Sequence, residues 1–253
     1  MTWTDTHCHI HDTEFFPNGR RALYERAVQA GVERLIVVGT DSRSSKEAVA
    51  FSAEHSGCFA AIGIHPHDAA TELPGFDSFS AWSSTVQDQK LVAVGEIGLD
   101  YHYDHSPRDQ QTELLGRQIE LAKKLDVPVI FHVREAFDDF WPIFDSFHGL
   151  RGVVHSFTDS LATMEKALDR GLFVGVNGIA TFARDRDVVT RAIPLDRLLL
   201  ETDAPFLTPA PYRGKVNEPA FVTQVAQFVA DLHTITLEEL SDITEKNATN
   251  LFF

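Results

Sequence analysis

The chain has 253 residues, of which 43% are hydrophobic, and a formal net charge of −15. This supplies enough apolar material for a sizeable core, yet no apolar stretch approaches the roughly 18 residues that a membrane span needs. So acidic a surface repels phosphate at long range and excludes a protein that coats nucleic acid by charge, although locally bound cations would create a positive site.

The first β-type apolar run is Trp3–His9, followed by a helix-like segment at Gly19–Ala30. Arg34–Thr40 and Phe59–His65 read as the next strands, with a helical pattern at Ser42–His55 between them and another at Phe76–Gln87 after them. Leu91–Leu99 precedes the clearest helix, Pro107–Leu125, where Leu114, Leu115, Gln118, Ile119, Ala122 and Leu125 recur with a 3.6-residue period. Strand Pro128–Val133, helix Glu135–His148, strand Gly152–Phe157, helix Ser160–Arg170 and strands Leu172–Asn177 and Arg197–Asp203 complete the alternation. Pro205–Pro219 holds four prolines and reads as an ordered loop, after which helices resume at Ala220–Leu232 and Leu237–Phe252. Thr236 with Glu239 makes a capping-box pattern at the start of the last helix. Eight strands alternating with helices predict an α/β protein, a (β/α)8 TIM barrel forming a single domain over residues 1–253.

The chemistry-bearing residues sit at the carboxyl ends of these runs, where such barrels build their sites. His7 and His9 alternate onto one face of the first strand, about 7 Å apart along the backbone, a spacing that suits chelation of one cation. Cys8 points the other way, into packing, and with Cys58 makes no disulfide framework, which fits a reduced compartment. Glu96 lies in the apolar run Val92–Leu99, where a carboxylate is costly to bury unless paired or bound to a cation; a buried salt bridge to Arg134 or Lys215 is the alternative. His132 and His155 close two further strands and Asp203 closes the last, next to the first in a closed barrel. Asp203 would ligate a cation, accept a proton from an attacking water, or both, with Glu201 one layer deeper supporting it. His65 is placed at the site mouth for substrate contact or proton transfer. Tyr101, within Asp100-Tyr101-His102-Tyr103, would stack on a base or sugar, or pack in its loop. Arg213, Lys215 and Asn217 form a polar, basic loop after the last strand, suited to an anionic substrate.

These residues fall in the segments Asp5-Thr6-His7-Cys8-His9, Gly63-Ile64-His65-Pro66-His67, Gly95-Glu96-Ile97-Gly98-Leu99-Asp100-Tyr101, His155-Ser156-Phe157 and Glu201-Thr202-Asp203-Ala204-Pro205. Pro211-Tyr212-Arg213-Gly214-Lys215 and Asn217-Glu218-Pro219 follow. In their order and spacing the chain resembles the TatD family of metal-dependent deoxyribonucleases over nearly its full length. The resemblance implies an amidohydrolase-like TIM barrel with His7, His9, Glu96, His132, His155 and Asp203 as metal ligands. One ion would lie near His7, His9 and Asp203 and another near His132 and His155, with Glu96 between. It implies hydrolysis of phosphodiester bonds in DNA from the 3′ end and substrate contacts at His65, Arg213 and Asn217. Where many members carry an acidic residue this chain has His11, and the segment after His155 reads Ser156-Phe157-Thr158-Asp159.

The expected cofactors are two divalent cations, zinc, manganese or magnesium, which would activate a water as nucleophile. Asp203, Glu96 and His65 would carry the catalysis and DNA would be the substrate, with no stable protein partner and no membrane. The start of the chain, Met1–Thr6, lacks signal-peptide character, so a cytoplasmic protein is expected. Alternatives are an amidohydrolase-like or aminoacyl-tRNA deacylase activity on a non-DNA ester or amide, and a noncatalytic metal-binding scaffold.

Overall fold

The computed structural model describes residues 1–86, 90–103, 105–183, 185 and 187–253. Its strands are β1 (Trp3–Cys8), β2 (Val32–Val38), β3 (Cys58–Ile62), β4 (Leu91–Asp100), β5 (Val129–Arg134), β6 (Gly152–Val154), β7 (Phe173–Val176) and β8 (Leu198–Leu200). Helices α1 (Arg20–Gln29), α2 (Ser42–Glu54), α3 (Ala69–Glu72), α4 (Phe76–Ser83), α5 (Arg108–Leu125), α6 (Phe137–Asp145), α7 (Leu161–Asp169), α8 (Asp187–Ala192), α9 (Val222–His233) and α10 (Leu237–Phe252) lie between and after them. Strand order follows chain order from β1 to β8, the described pairings are parallel, and the fold is the (β/α)8 TIM barrel. No helix among the described residues is long and apolar enough to cross a membrane.

Two compact units divide the chain: Met1–Val37 with His155–Leu251 and Phe253, and Val38–Val154 with Phe252. In the first, β1 is buried along its whole length, and Leu198, Leu199 and Leu200 of β8 are equally inaccessible. Val222, Val225, Ala226, Val229 and Ala230 supply the buried stripe of α9. The capping box at Thr236 and Glu239 is formed, satisfying two backbone N–H groups at the start of α10. In the second unit, β4 is buried over all ten residues, and Phe131 of β5 meets Phe140 and Phe144 of α6 at centroid distances of 5.1 and 5.7 Å. Helix α5 turns Leu114, Leu115, Ile119, Ala122 and Leu125 inward as the periodicity indicates.

Several boundaries differ from the sequence reading. The last strand ends at Leu200 rather than Asp203, and the sixth at Val154 rather than Phe157. The expected sixth strand runs through Ser156 (φ 47°) and the expected last strand ends on Asp203 (φ 59°), both in the left-handed region, which an extended ladder does not accommodate. Glu135, also left-handed (φ 52°), keeps α6 from starting before Phe137. The helix expected to reach Gln87 ends at Ser83, and Gln87 itself lies outside the described residues. Short helical turns at Pro66–Asp68 and Gly178–Thr181 were not expected; each is too brief to show a period.

Candidate metal centre

In the first unit, the end of β1 is laced to the segment after β8. Asp203 N–H donates to His7 O and His9 N–H to Ala204 O, both at 2.8 Å. Asp5, fully buried, accepts from Thr202 N (2.9 Å), Thr202 Oγ1 (2.6 Å) and His7 N (3.3 Å), so a carboxylate below the site ties both segments together. Burial pushes the Asp5 carboxyl up to about 8 despite those hydrogen bonds. The lacing points two imidazoles and a carboxylate at one spot. His7 Nε2 and His9 Nε2 are 3.3 Å apart, and Asp203 Oδ1 lies 3.6 Å from the first and 3.4 Å from the second. Cys8 faces away, its thiol donating to Ile36 O at 3.6 Å, as strand alternation requires.

His155 joins the same unit's donors. Its ring stacks on His7 with centroids 4.0 Å apart, and its Nδ1 lies 3.5 Å from Glu201 Oε1. Glu201 Oε1 accepts from Ser156 N (2.7 Å) and Asn177 Nδ2 (3.3 Å), while its Oε2 is buried with no hydrogen-bond partner. Space for this carboxylate exists because residue 175 is glycine: a Cβ there would stand 2.5 Å from Glu201 Oε2 and 3.0 Å from the His155 Cα. His7, His155 and Glu201 thus make a second convergent set beside His7, His9 and Asp203.

In the second unit, Glu96, His132 and His65 converge. His132 Nδ1 lies 2.8 Å from Glu96 Oε1, and its Nε2 lies 2.9 Å from Asp100 Oδ2. The same Asp100 oxygen receives His67 Nε2 at 3.0 Å, while Asp100 Oδ1 accepts from His102 N (3.0 Å) and Tyr103 N (3.2 Å). Burial alone would raise the Asp100 carboxyl, but the hydrogen bonds from His132 and His67 prevail and hold it well below the usual carboxylate range. Gly98 lets β4 approach β5 here, since a Cβ at that position would collide with the His132 carbonyl oxygen.

Two glutamines of α5 fix the backbone on which these side chains hang. Gln118 accepts from Ile64 N (2.8 Å) and donates to Ile64 O (2.9 Å), next to His65. Gln111 accepts from Asp100 N (2.9 Å) and donates to Asp100 O (3.1 Å) and Ser106 O (2.8 Å). His65 Nδ1 accepts from His67 N–H at 3.2 Å, so a neutral ring carries its proton on Nε2, which faces Glu96 Oε1 at 3.6 Å. Burial, reinforced by His132, pulls the His65 pKa well below the ordinary histidine value and keeps the ring neutral, against the opposing pull of Glu96.

The remaining expected site residues are placed as follows. Arg213 is exposed, its Nη1 donating to Thr208 O (2.8 Å) and its guanidinium lying 3.8 Å from the Phe182 ring centroid. The Tyr101 hydroxyl donates to Asp139 Oδ2 (2.9 Å), and Arg108 covers its ring at 4.0 Å, which favours the packing role in its loop. Asn217, expected to contact substrate, is fully buried; its Nδ2 donates to Thr202 O (2.8 Å) and Phe206 O (2.6 Å), so it shapes the loop after β8 instead. His11 is also fully buried, and Asp159 turns back to accept from Ser160 N at 2.7 Å. Asp100 is the site residue that sequence reading passed over as a donor partner. Its signal was parity, because Glu96 and Asp100 stand four residues apart on one strand and fall on one face.

Buried lone-pair donors gathered this closely are costly unless a cation takes the place of water, so the donor sets fit divalent metal. The partnerless Glu201 oxygen is a further observation of the same kind. Imidazoles and carboxylates at strand ends of a TIM barrel define the class of metal-dependent hydrolases. A model of the family described as TatD related DNase matches residues 4–253. The metal-dependent hydrolase YabD of Bacillus subtilis is 40% identical over 98% of either chain. A 3′-5′ ssDNA/RNA exonuclease TatD of Erwinia tasmaniensis is 34% identical, covering 94% of this chain and 95% of its own. The solved structure of YjjV, a TatD homologue from Escherichia coli K12, superposes with a TM-score of 0.89 at 32% identity, covering 99% of this chain and 97% of that one. The chain belongs to the TatD-related DNase family and is a metal-dependent hydrolase.

Proposed function

We propose that this hydrolase cleaves phosphodiester bonds in DNA, removing nucleotides from the 3′ end, with two divalent cations, one for the donors of each unit. The observation that carries the reading is the set His7 Nε2, His9 Nε2 and Asp203 Oδ1, three donor atoms within 3.3–3.6 Å of one another at the end of β1 and β8. The exonuclease name of the Erwinia relative supports the substrate class and the polarity. His7, His9 and Asp203 would hold one cation, with His155 beside them, and Glu96 and His132 would hold the other. Such cations, when bound, acidify a water and offset charge on the phosphate.

The chain's own residues do the rest. Asp203 orients the attacking water and takes its proton at the oxygen not engaged with the histidines. Neutral His65 donates from Nε2 and offers a hydrogen bond to a phosphate oxygen. Arg213, pinned by Thr208 and Phe182, presents a fixed positive group to the anionic substrate in an otherwise acidic chain. Asp100 orients His132 through its hydrogen bond to Nε2, and Glu201 places its carboxylate 3.5 Å from His155 Nδ1.

The test is cleavage of end-labelled single- and double-stranded DNA by metal-stripped protein, with zinc, manganese or magnesium added back. A 3′ label should leave at once as mononucleotide and a 5′ label should report a shortening ladder, both only with cation present. Cleavage that persists under chelation, or turnover confined to a panel of lactones and aminoacyl esters, would refute the reading.

A further inference from the structure

Two phenylalanines from loops nearly two hundred residues apart meet in solvent beside the first metal donor set. Phe15 is 41% exposed and Phe206 is 46% exposed, and their rings pack edge to face with centroids 5.1 Å apart. Each also stands edge-on to His9, at 6.1 and 6.3 Å. The neighbouring Phe16 is buried, so the β1 loop already has its apolar anchor and does not need Phe15 for that purpose. Both rings sit on fixed backbone. Phe206 N–H donates to Asp203 O (2.8 Å), and Phe206 O accepts from buried Asn217 (2.6 Å). On the other loop, Asp12 receives Phe16 N–H on its carbonyl (2.9 Å) and Glu14 N–H on its side chain (2.8 Å).

A rigid, exposed aromatic pair next to a site for phosphodiester cleavage matches the chemistry of an unpaired nucleobase, whose π-face stacks on aromatic rings whatever its identity. The occupant needs no positive surface, which suits a chain of charge −15. We propose that Phe15 and Phe206 form a shelf for the 3′-terminal base of a single strand and hold it while the adjoining phosphate lies at the His7–His9–Asp203 donors. This rests on the nuclease reading above and sharpens it: recognition is independent of base identity but requires a base, and a base paired within a duplex end is not offered to the shelf.

The experiment compares two oligonucleotides, one ending in a normal 3′ nucleotide and one ending in an abasic 3′ residue, on wild type, F15L, F206L and the double variant. Leucine keeps apolar bulk and removes the π-face. For each protein the quantity read is the ratio of kcat/KM for the two substrates, which cancels any loss of folded material. The wild-type ratio should be about ten-fold in favour of the base-bearing end, and the double variant should bring it close to one. Equilibrium binding of the same oligonucleotides without added cation, followed by fluorescence anisotropy, should show the same collapse. A ratio near one in wild type, or an unaltered ratio in the double variant, would overturn the shelf while leaving the nuclease reading intact. Absence of hydrolysis of either oligonucleotide by the cation-loaded wild type would instead defeat the nuclease reading, and the anisotropy ratio would then decide the shelf alone.

Discussion

Replacing Asp203 by asparagine is expected to lower DNA hydrolysis by about 10³-fold and leave the fold intact. The carboxylate has two duties. Its Oδ1 lies 3.4–3.6 Å from the Nε2 atoms of His7 and His9, which makes it the anionic member of that donor set. It is also the group placed to take a proton from the attacking water. Asparagine offers an oxygen of the same shape but neither the charge nor the basicity. The choice of asparagine matters for the control, because residue 203 sits at φ 59° and asparagine tolerates the left-handed region better than alanine does. The backbone bond from residue 203 to His7 O is independent of the side chain and should persist. The melting temperature should therefore stay close to wild type while turnover of 3′-labelled DNA collapses. Near-normal turnover by a cation-loaded Asp203→Asn protein would remove Asp203 from the reaction.

Asp100→Asn should weaken cation binding by the His132 set by about 10–100-fold, although Asp100 is not itself a proposed ligand. Its Oδ2 accepts from His132 Nε2, which keeps the proton on that nitrogen and leaves Nδ1, on the Glu96 side of the ring, as the atom to ligate a bound cation. Asparagine would keep Oδ1 on the N–H groups of His102 and Tyr103, because an amino group there would face two donors. Its Nδ2 must then point at His132 and His67. His132 would have to accept at Nε2 and carry its proton on Nδ1, where it blocks the lone pair. In the cation-loaded protein the imidazole 15N shifts of His132 should depart from the wild-type pattern of a ligated Nδ1 and a protonated Nε2, and competition with a chelator should report the weaker site. Unchanged 15N shifts together with unchanged cation affinity would reduce Asp100 to a turn-former for residues 102–103.

How much of this was legible beforehand follows the range of the interactions involved. Elements were readable because their signal is local: the stripe on α5 and the Thr236 cap are set by residues three or four apart. The set His7, His9 and Asp203 was readable because strand parity and the meeting of last strand with first suffice to place it. The misplaced end of β8 has a long-range cause. After Leu200 one more bond to the neighbouring strand follows, from Glu201 N–H to Val176 O; Thr202 N–H then goes to the Asp5 side chain and Asp203 N–H to His7 O, an exchange that spans nearly the whole chain. The grouping of His155 with Glu201 was equally hidden, since it depends on a missing Cβ at Gly175. So was the inward turn of Asn217: the residue type suggests contact with substrate, and only the carbonyls of Thr202 and Phe206 reveal that its amide is already engaged.

Anomalous diffraction from crystals of the protein soaked in manganese or zinc tests the central claim most directly, since it locates bound cations without reference to turnover. Peaks should appear about 2.0–2.2 Å from His7, His9 and Asp203 and, separately, from Glu96 and His132. Crystals of the active protein whose anomalous density lies away from all of these side chains would contradict the assignment of the hydrolytic centre.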